Sequence, residues 1–174
     1  MFTRKLAVGA ASLLLLAATA RADGPNLGKD ISPSDLAPWD IHIMPDGTGL
    51  PPGSGTFAQG APVYAQKCAL CHGENGKGGH SAALVGGPPR ASLDGGKTIP
   101  NYWPYATTLF DFIRRAMPYS APRSLTDKEV YAVTAYILAL NKLIGENDVI
   151  DAQTLPKVQM PNRDNFIVRF PDRI

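Results

Sequence analysis

Five residues constrain this chain more than anything else in it. Both cysteines fall in Cys68-Ala69-Leu70-Cys71-His72, a C-x-x-C-H run. Two thiols three positions apart near a helix end can each add to one vinyl group of a haem, making two thioether bonds. His72, next in sequence, is then held beneath the iron as an axial ligand. The expected cofactor is one haem c per chain, attached through Cys68 and Cys71 with His72 on the metal. Rival uses of the motif fit less well. A thioredoxin-like C-x-x-C sits in strand–helix alternation, which this sequence lacks. A zinc site takes four ligands, and only distant His42 or His80 remain, at no recognised spacing. A plain disulfide leaves His72 unexplained.

The N-terminus supports export. Arg4 and Lys5 precede a 15-residue run without charge, Leu6 to Ala20, followed by small residues ending in Ala20-Arg21-Ala22. That is the pattern of a secretory signal peptide over residues 1–22. The run is short of the roughly 20 residues that cross a bilayer, and no later stretch is apolar enough. A periplasmic protein with no membrane span after cleavage is expected. The formal charge of +2 falls when Arg4, Lys5 and Arg21 leave, because 14 basic residues then face 15 acidic ones. Neither balance supports nucleic-acid binding, which needs a clustered basic face.

With 44% apolar residues the chain of 174 can build a core, but 17 glycines and 16 prolines imply long irregular stretches. Residues 23–55 read as a Pro/Gly-rich arm, in which Trp39, Ile41 and Ile43 alternate with Asp40 and His42 at strand period. A helix is expected from Thr56, with Phe57, Ala61, Tyr64, Ala65 and Cys68 near helical spacing. Residues 73–104 read as loop, with Gly86-Gly87-Pro88-Pro89 and Gly95-Gly96 as breakers. A second helix is expected over Thr107–Ala116, with a stripe of Leu109, Phe112, Ile113 and Ala116 and Pro118 as its stop. A third is expected over Thr126–Leu143. Thr126 and Glu129 fit a capping box, Val130, Val133, Ile137 and Leu140 recur along one face, and Gly145 ends it. A polar tail, 144–174, follows, with Phe166-Ile167-Val168 and Phe170 as its last apolar cluster. The fold expected is all-α: a small helical domain over 56–143 around one haem.

The sixth iron position has several claimants. Met44, Met117 and Met160 are each followed by proline, which extends the preceding residue and can present a sulfur from a loop. Met117 lies between two amphipathic helices, 45 residues beyond His72, far enough to return over the opposite haem face. Met44 sits in the arm and Met160 in the tail. Methionine opposite histidine is the usual electron-transfer pair, so Met117 is the expected ligand. His42 would make a bis-histidine site instead, and His80 reads as a solvated loop residue.

These residues together resemble the class I c-type cytochromes. The resemblance rests on Cys68 to His72, on Met117, and on a glycine and an aromatic four apart, Gly60 and Tyr64, facing Val133 and Tyr136. It covers about residues 56–143 and implies that the two helices cross closely. A narrower resemblance lies in Met44-Pro45-Asp46-Gly47-Thr48-Gly49-Leu50-Pro51-Pro52-Gly53-Ser54-Gly55 and in Arg114-Arg115-Ala116-Met117-Pro118-Tyr119-Ser120-Ala121-Pro122. Both segments are similar to the cytochrome subunits of periplasmic sulfite dehydrogenases and of Sox-type sulfur dehydrogenases. The resemblance implies a molybdenum catalytic subunit as electron donor and a downstream c-type cytochrome or oxidase as acceptor. One haem motif, where the Sox-type form has two, favours the sulfite dehydrogenase form.

In class I cytochromes a loop like Asn101-Tyr102-Trp103-Pro104-Tyr105 borders the haem propionates, so Tyr102 and Trp103 are candidate haem neighbours. Arg114, Arg115 and Arg123 flank Met117, and Arg123 and Lys97 are weaker candidates for the same environment. The expected function is electron transfer by iron cycling between its two oxidation states, with no substrate turned over by this chain alone. A free periplasmic carrier for another dehydrogenase or oxidase is the alternative. A haem enzyme or gas sensor would need an open sixth position, against which Met117 speaks.

Overall fold

The computed structural model describes residues 27–87 and 95–166. The expected signal peptide, the first residues of the arm, Pro88-Pro89 and the Ile167-Val168-Phe170 cluster lie outside the described residues. The chain divides into two compact units, one ending at Asp40 and the other starting at Ile41.

The first unit contains one helical turn, α1 (Pro33–Leu36), with no buried residue. Ser32 caps it. Its backbone N–H donates to the Asp35 carboxylate at 2.8 Å, and its hydroxyl accepts from the Asp35 N–H at 3.3 Å. Pro33 supplies the preset φ of a first helical residue. The strand expected around Trp39, Ile41 and Ile43 does not form. Trp39 lies in the turn after α1, and no described strand pairs with this stretch. An alternation of side chains makes a strand only where a neighbour takes up its backbone groups.

The second unit runs β1 (Ser54–Thr56), α2 (Phe57–Lys67), α3 (Ala69–His72), α4 (Ile99–Tyr102), α5 (Ala106–Ala116), α6 (Asp127–Leu140) and β2 (Val149–Asp151). The fold is mostly helical, as expected, with one small addition. β1 and β2 pair antiparallel, with Gly55 opposite Ile150. The three expected long helices form. Thr56 caps α2 in reciprocal bonds with Gln59, and Thr126 caps α6 with Glu129. On α5 the core side chains are Leu109, Phe110 and Ile113, while Phe112 is 43% exposed. The expected stripe chose the wrong phenylalanine, because a run of two aromatics around Asp111 leaves the phase of the helix ambiguous.

α6 is the central element. Residues 130–138 are all buried, which is the condition of a helix covered on every side rather than one. α2, α5, β1 and β2 all pack on it. It stops at Leu140, three residues short of the expected Leu143. Asn141 bonds the Ile137 carbonyl through Nδ2 at 2.9 Å, and Lys142 takes the left-handed conformation with φ 57°.

The compact body is larger than the expected 56–143. Tyr131 donates its buried hydroxyl to the Pro51 carbonyl at 2.8 Å. Ile150, Leu155, Val158 and Met160 are core residues. Residues 41–55 of the expected arm and 144–160 of the expected tail therefore belong to the body, with β1 and β2 on α6 and the turn Leu155–Lys157 on α5. Their own composition is turn-rich. It is the apolar surface left open on α5 and α6 that recruits them.

Candidate haem site

The site is built from a helix crossing. α2 and α6 make the most extensive contact between elements. A β-carbon on Gly60 would land on the Ala132 carbonyl oxygen and lie 2.7 Å from Tyr136 Cβ. Gly55 is as close, its missing β-carbon falling on the Ala132 N–H and 2.6 Å from the Tyr131 carbonyl carbon. The expected pairing of Gly60 and Tyr64 with Tyr136 is present, with Ala132 rather than Val133 at the closest point. Three rings cluster beside it: Phe57 stacks on Tyr136 at 4.9 Å, and Tyr64 is tilted against Tyr136 at 5.0 Å between centroids.

The hydroxyls of two of these rings reach the loop after the C-x-x-C-H run. Tyr64 donates to the Gly73 carbonyl at 3.0 Å, and Tyr136 donates to Asn75 Oδ1 at 3.0 Å. Burial pushes the Tyr64 phenol up to about 12, so it stays a donor throughout the neutral range. The crossing thus sets where the C-x-x-C-H turn sits.

Within that turn, Cys68 closes α2, its N–H donating to the Tyr64 carbonyl at 2.9 Å. α3 carries Cys71 and His72, and the chain then reverses at Gly73, φ 76°. Both cysteines are unbridged. Cys68 is half-buried, and burial pushes its thiol up to about 11; Cys71 is exposed. Backbone bonds from Gly78 N–H to the His72 carbonyl and from Ser81 N–H to the Cys71 carbonyl, each 2.8 Å, brace the turn.

His72 Nδ1 lies 2.9 Å from the Ala82 carbonyl oxygen. A carbonyl only accepts, so the proton sits on Nδ1 and Nε2 keeps its lone pair for a metal. Ala82 is a member of the site that the sequence could not announce, because the group that acts is its backbone oxygen.

Met117 is the residue that ends α5, its N–H bonded to the Ile113 carbonyl at 3.1 Å. It is half-buried and packs against the same core as Cys68 and Trp103. Of the other claimants, Met44 is 48% exposed and Met160 is 3% exposed within the core, while His42 and His80 are exposed.

Trp103 meets Phe112 edge-on at 5.3 Å, and Lys97 Nζ sits 4.6 Å from the Tyr102 ring centre. The C-terminal segment ties this loop down. Asn162 Nδ2 donates to the Tyr102 carbonyl at 2.7 Å, Arg163 lies over Tyr105, and Phe166 meets Tyr102. The arginines beside Met117 have separate company. Arg114 pairs with Asp127 at 2.9 Å and Arg115 with Asp111 at 2.8 Å. Arg123, at φ 61°, lines a cavity of about 130 Å³ with Ile41, Arg114, Leu125 and Asp127, none of them from the 102–105 loop.

The residues present fit a covalent haem. Two unbridged thiols and an imidazole whose outer nitrogen is already committed to a carbonyl leave the donor set that haem c requires. Among the described residues no group of three or more His, Cys, Asp or Glu side chains offers another metal site. No described helix is long and apolar enough to cross a membrane.

A mostly helical body, two helices crossing at a glycine and a C-x-x-C-H turn hung from that crossing define the class: the chain belongs to the c-type cytochromes, which carry haem bound through two cysteines. The family profile described as cytochrome c oxidase, cbb3-type, subunit III matches residues 55–137. Among solved structures, a chain of the sulfane dehydrogenase SoxCD from Paracoccus pantotrophus is similar at a TM-score of 0.75 and 35% identity, over 86% of this chain and 73% of that one. The thiosulfate dehydrogenase of Stutzerimonas stutzeri (strain A1501) is 31% identical over 90 residues, which is 50% of this chain. The chain spans 28% of that relative's length.

Proposed function

We propose that this cytochrome is the electron-transfer subunit of a periplasmic, molybdenum-containing sulfur-compound dehydrogenase, taking its electrons one at a time and passing them to a c-type cytochrome or oxidase. The observation that carries this is the likeness to a chain of a sulfane dehydrogenase at 35% identity over 86% of this chain. A second relative, a thiosulfate dehydrogenase, also acts on sulfur. The sulfite-oxidising partner expected on the count of haem motifs gives way to sulfane-level sulfur, because the solved relative is named for that chemistry.

In this reading Cys68 and Cys71 would hold the haem covalently, and His72, through Nε2, and Met117, through Sδ, would bind its iron. Haem would supply one-electron cycling, and ligation by a thioether together with an imidazole would raise its potential. The Ala82 carbonyl fixes the His72 tautomer and ring plane. Tyr64 and Tyr136 hold the turn through Gly73 and Asn75. Tyr102 and Trp103 border the cofactor; Arg123 is the weakest candidate for that role, given the cavity it lines.

The test is reconstitution. The oxidised cytochrome and its dehydrogenase are mixed, and haem reduction is followed after adding sulfite, thiosulfate or a protein-bound sulfane. Sulfane-dependent reduction is expected; reduction by sulfite alone would restore the sulfite reading, and no reduction by any of them would overturn the proposal. For the ligand, Met117→His should abolish the weak long-wavelength sulfur–iron band and lower the potential. Retention of that band in Met117→His, with its loss in Met160→Leu, would reassign the sixth position.

A further inference from the structure

We infer that residues 27–40 are a docking arm that lies in an apolar, basic-rimmed groove on the catalytic dehydrogenase subunit. The inference rests on the proposed function and specifies how that partner is held.

The arm has the composition of an interface without a core of its own. Leu27, Ile31, Leu36 and Trp39 are 87%, 62%, 48% and 82% exposed. Four large apolar side chains exposed within thirteen residues are more than a lone solvated segment needs. The arm nevertheless has a defined conformation at its centre. The capping box of Ser32 and Asp35 and the fixed φ of Pro33 hold α1 although it buries nothing. A turn held by local bonds reduces the ordering cost of binding.

Its occupancy by a partner is favoured by the comparison. Ile41–Ile174 amounts to 134 of 174 residues, about 77% of the chain. The likeness to the SoxCD chain takes in 86%, so it extends into the residues before Ile41. Residues of the arm therefore have matched counterparts in a chain of a dehydrogenase. Charge specifies the groove. Asp30 and Asp35 against Lys29 leave residues 27–39 at −1, which favours lysine and arginine on the rim. Trp39 is the anchor, since a few buried aromatics dominate such interfaces.

The experiment uses the haem-loaded mature protein. Wild type, Trp39→Ser, Asp30→Lys and a variant lacking residues 27–39 are titrated against the dehydrogenase subunit, with haem spectrum and melting recorded in parallel. Trp39→Ser and the deletion are expected to weaken association about tenfold or more, with the spectrum and melting unchanged. Asp30→Lys should weaken it several-fold at low salt, a difference that vanishes at about 0.5 M salt. Wild-type affinity in Trp39→Ser and the deletion overturns the inference. So does a deletion variant that melts early with its affinity intact, because the arm would then belong to the cytochrome's own fold. A wild-type protein that the dehydrogenase neither binds nor reduces sinks the proposed function as well, which separates the two failures.

Discussion

At Gly60 a single absent methyl group sets the distance between two helices. Alanine there would gain up to about 1 kcal/mol of helix propensity. It would also drive a carbon into the Ala132 carbonyl, and backbone on the far side cannot rotate away as a side chain does. Overpacking of this kind costs about 1–3 kcal/mol. We expect Gly60→Ala to be destabilising on balance, seen as a lower denaturant midpoint of the haem-loaded protein; an equal or higher midpoint would mean that the crossing has slack. Tyr136→Phe removes only the bond to Asn75 and keeps the stack with Phe57 and Tyr64. It should cost roughly 1 kcal/mol and loosen the loop after His72, read as faster amide exchange over residues 73–79.

Among the elements, α6 carries the most, and its first turn links it to α2. Thr126 and Glu129 cap each other, and Glu129 also meets Lys67 Nζ at 3.0 Å, beside Cys68. The N–H of Thr126, then Lys67, hold the Glu129 carboxyl below its ordinary 4.5. A carboxyl that is more acidic folded than unfolded stabilises the fold above its unfolded value, and the contribution is lost as pH falls through the folded one. The fold should therefore weaken as pH drops from about 5 downward, and Glu129→Gln should flatten that dependence in urea titrations at stepped pH. The ion pair itself is about one-third exposed on each side, so it contributes less than about 1 kcal/mol. Thr126→Ala should cost about 1 kcal/mol by losing the cap. A change confined to salt dependence would place the effect in the ion pair instead.

For the molecule as a whole, the closing segments decide whether the core is sealed. Ile150 and Leu155 are at most 2% exposed, and Val158 and Met160 are nearly as buried. Each large apolar side chain buried is worth about 1.5–3 kcal/mol, against a total stability of about 5–15 kcal/mol for a domain. Truncation after Asp148 should therefore abolish cooperative folding, whereas removal of residues 27–39 should leave the melting temperature where it is. Calorimetry of the two deletion proteins would separate these outcomes; equal melting of both would show that β2 and the segment after it are dispensable.

The sequence by itself determined the chemistry and the main helices. C-x-x-C-H points to haem c, the cofactor the family implies, because both cysteines and a histidine lie together in the chain, and that needs no fold. The helix start at Thr126 was legible because capping is local, three residues long, and the helix from Thr56 because its apolar residues recur at helical spacing. What lay beyond the sequence was everything set by contact at a distance. The end of α6 at Leu140, the choice of Phe110 over Phe112, and the recruitment of 41–55 and 144–160 into the body all depend on which surface each residue meets. The Ala82 carbonyl on His72 is the clearest instance. A backbone oxygen carries no signature in the sequence, and only the loop path after Gly73 brings it to the imidazole.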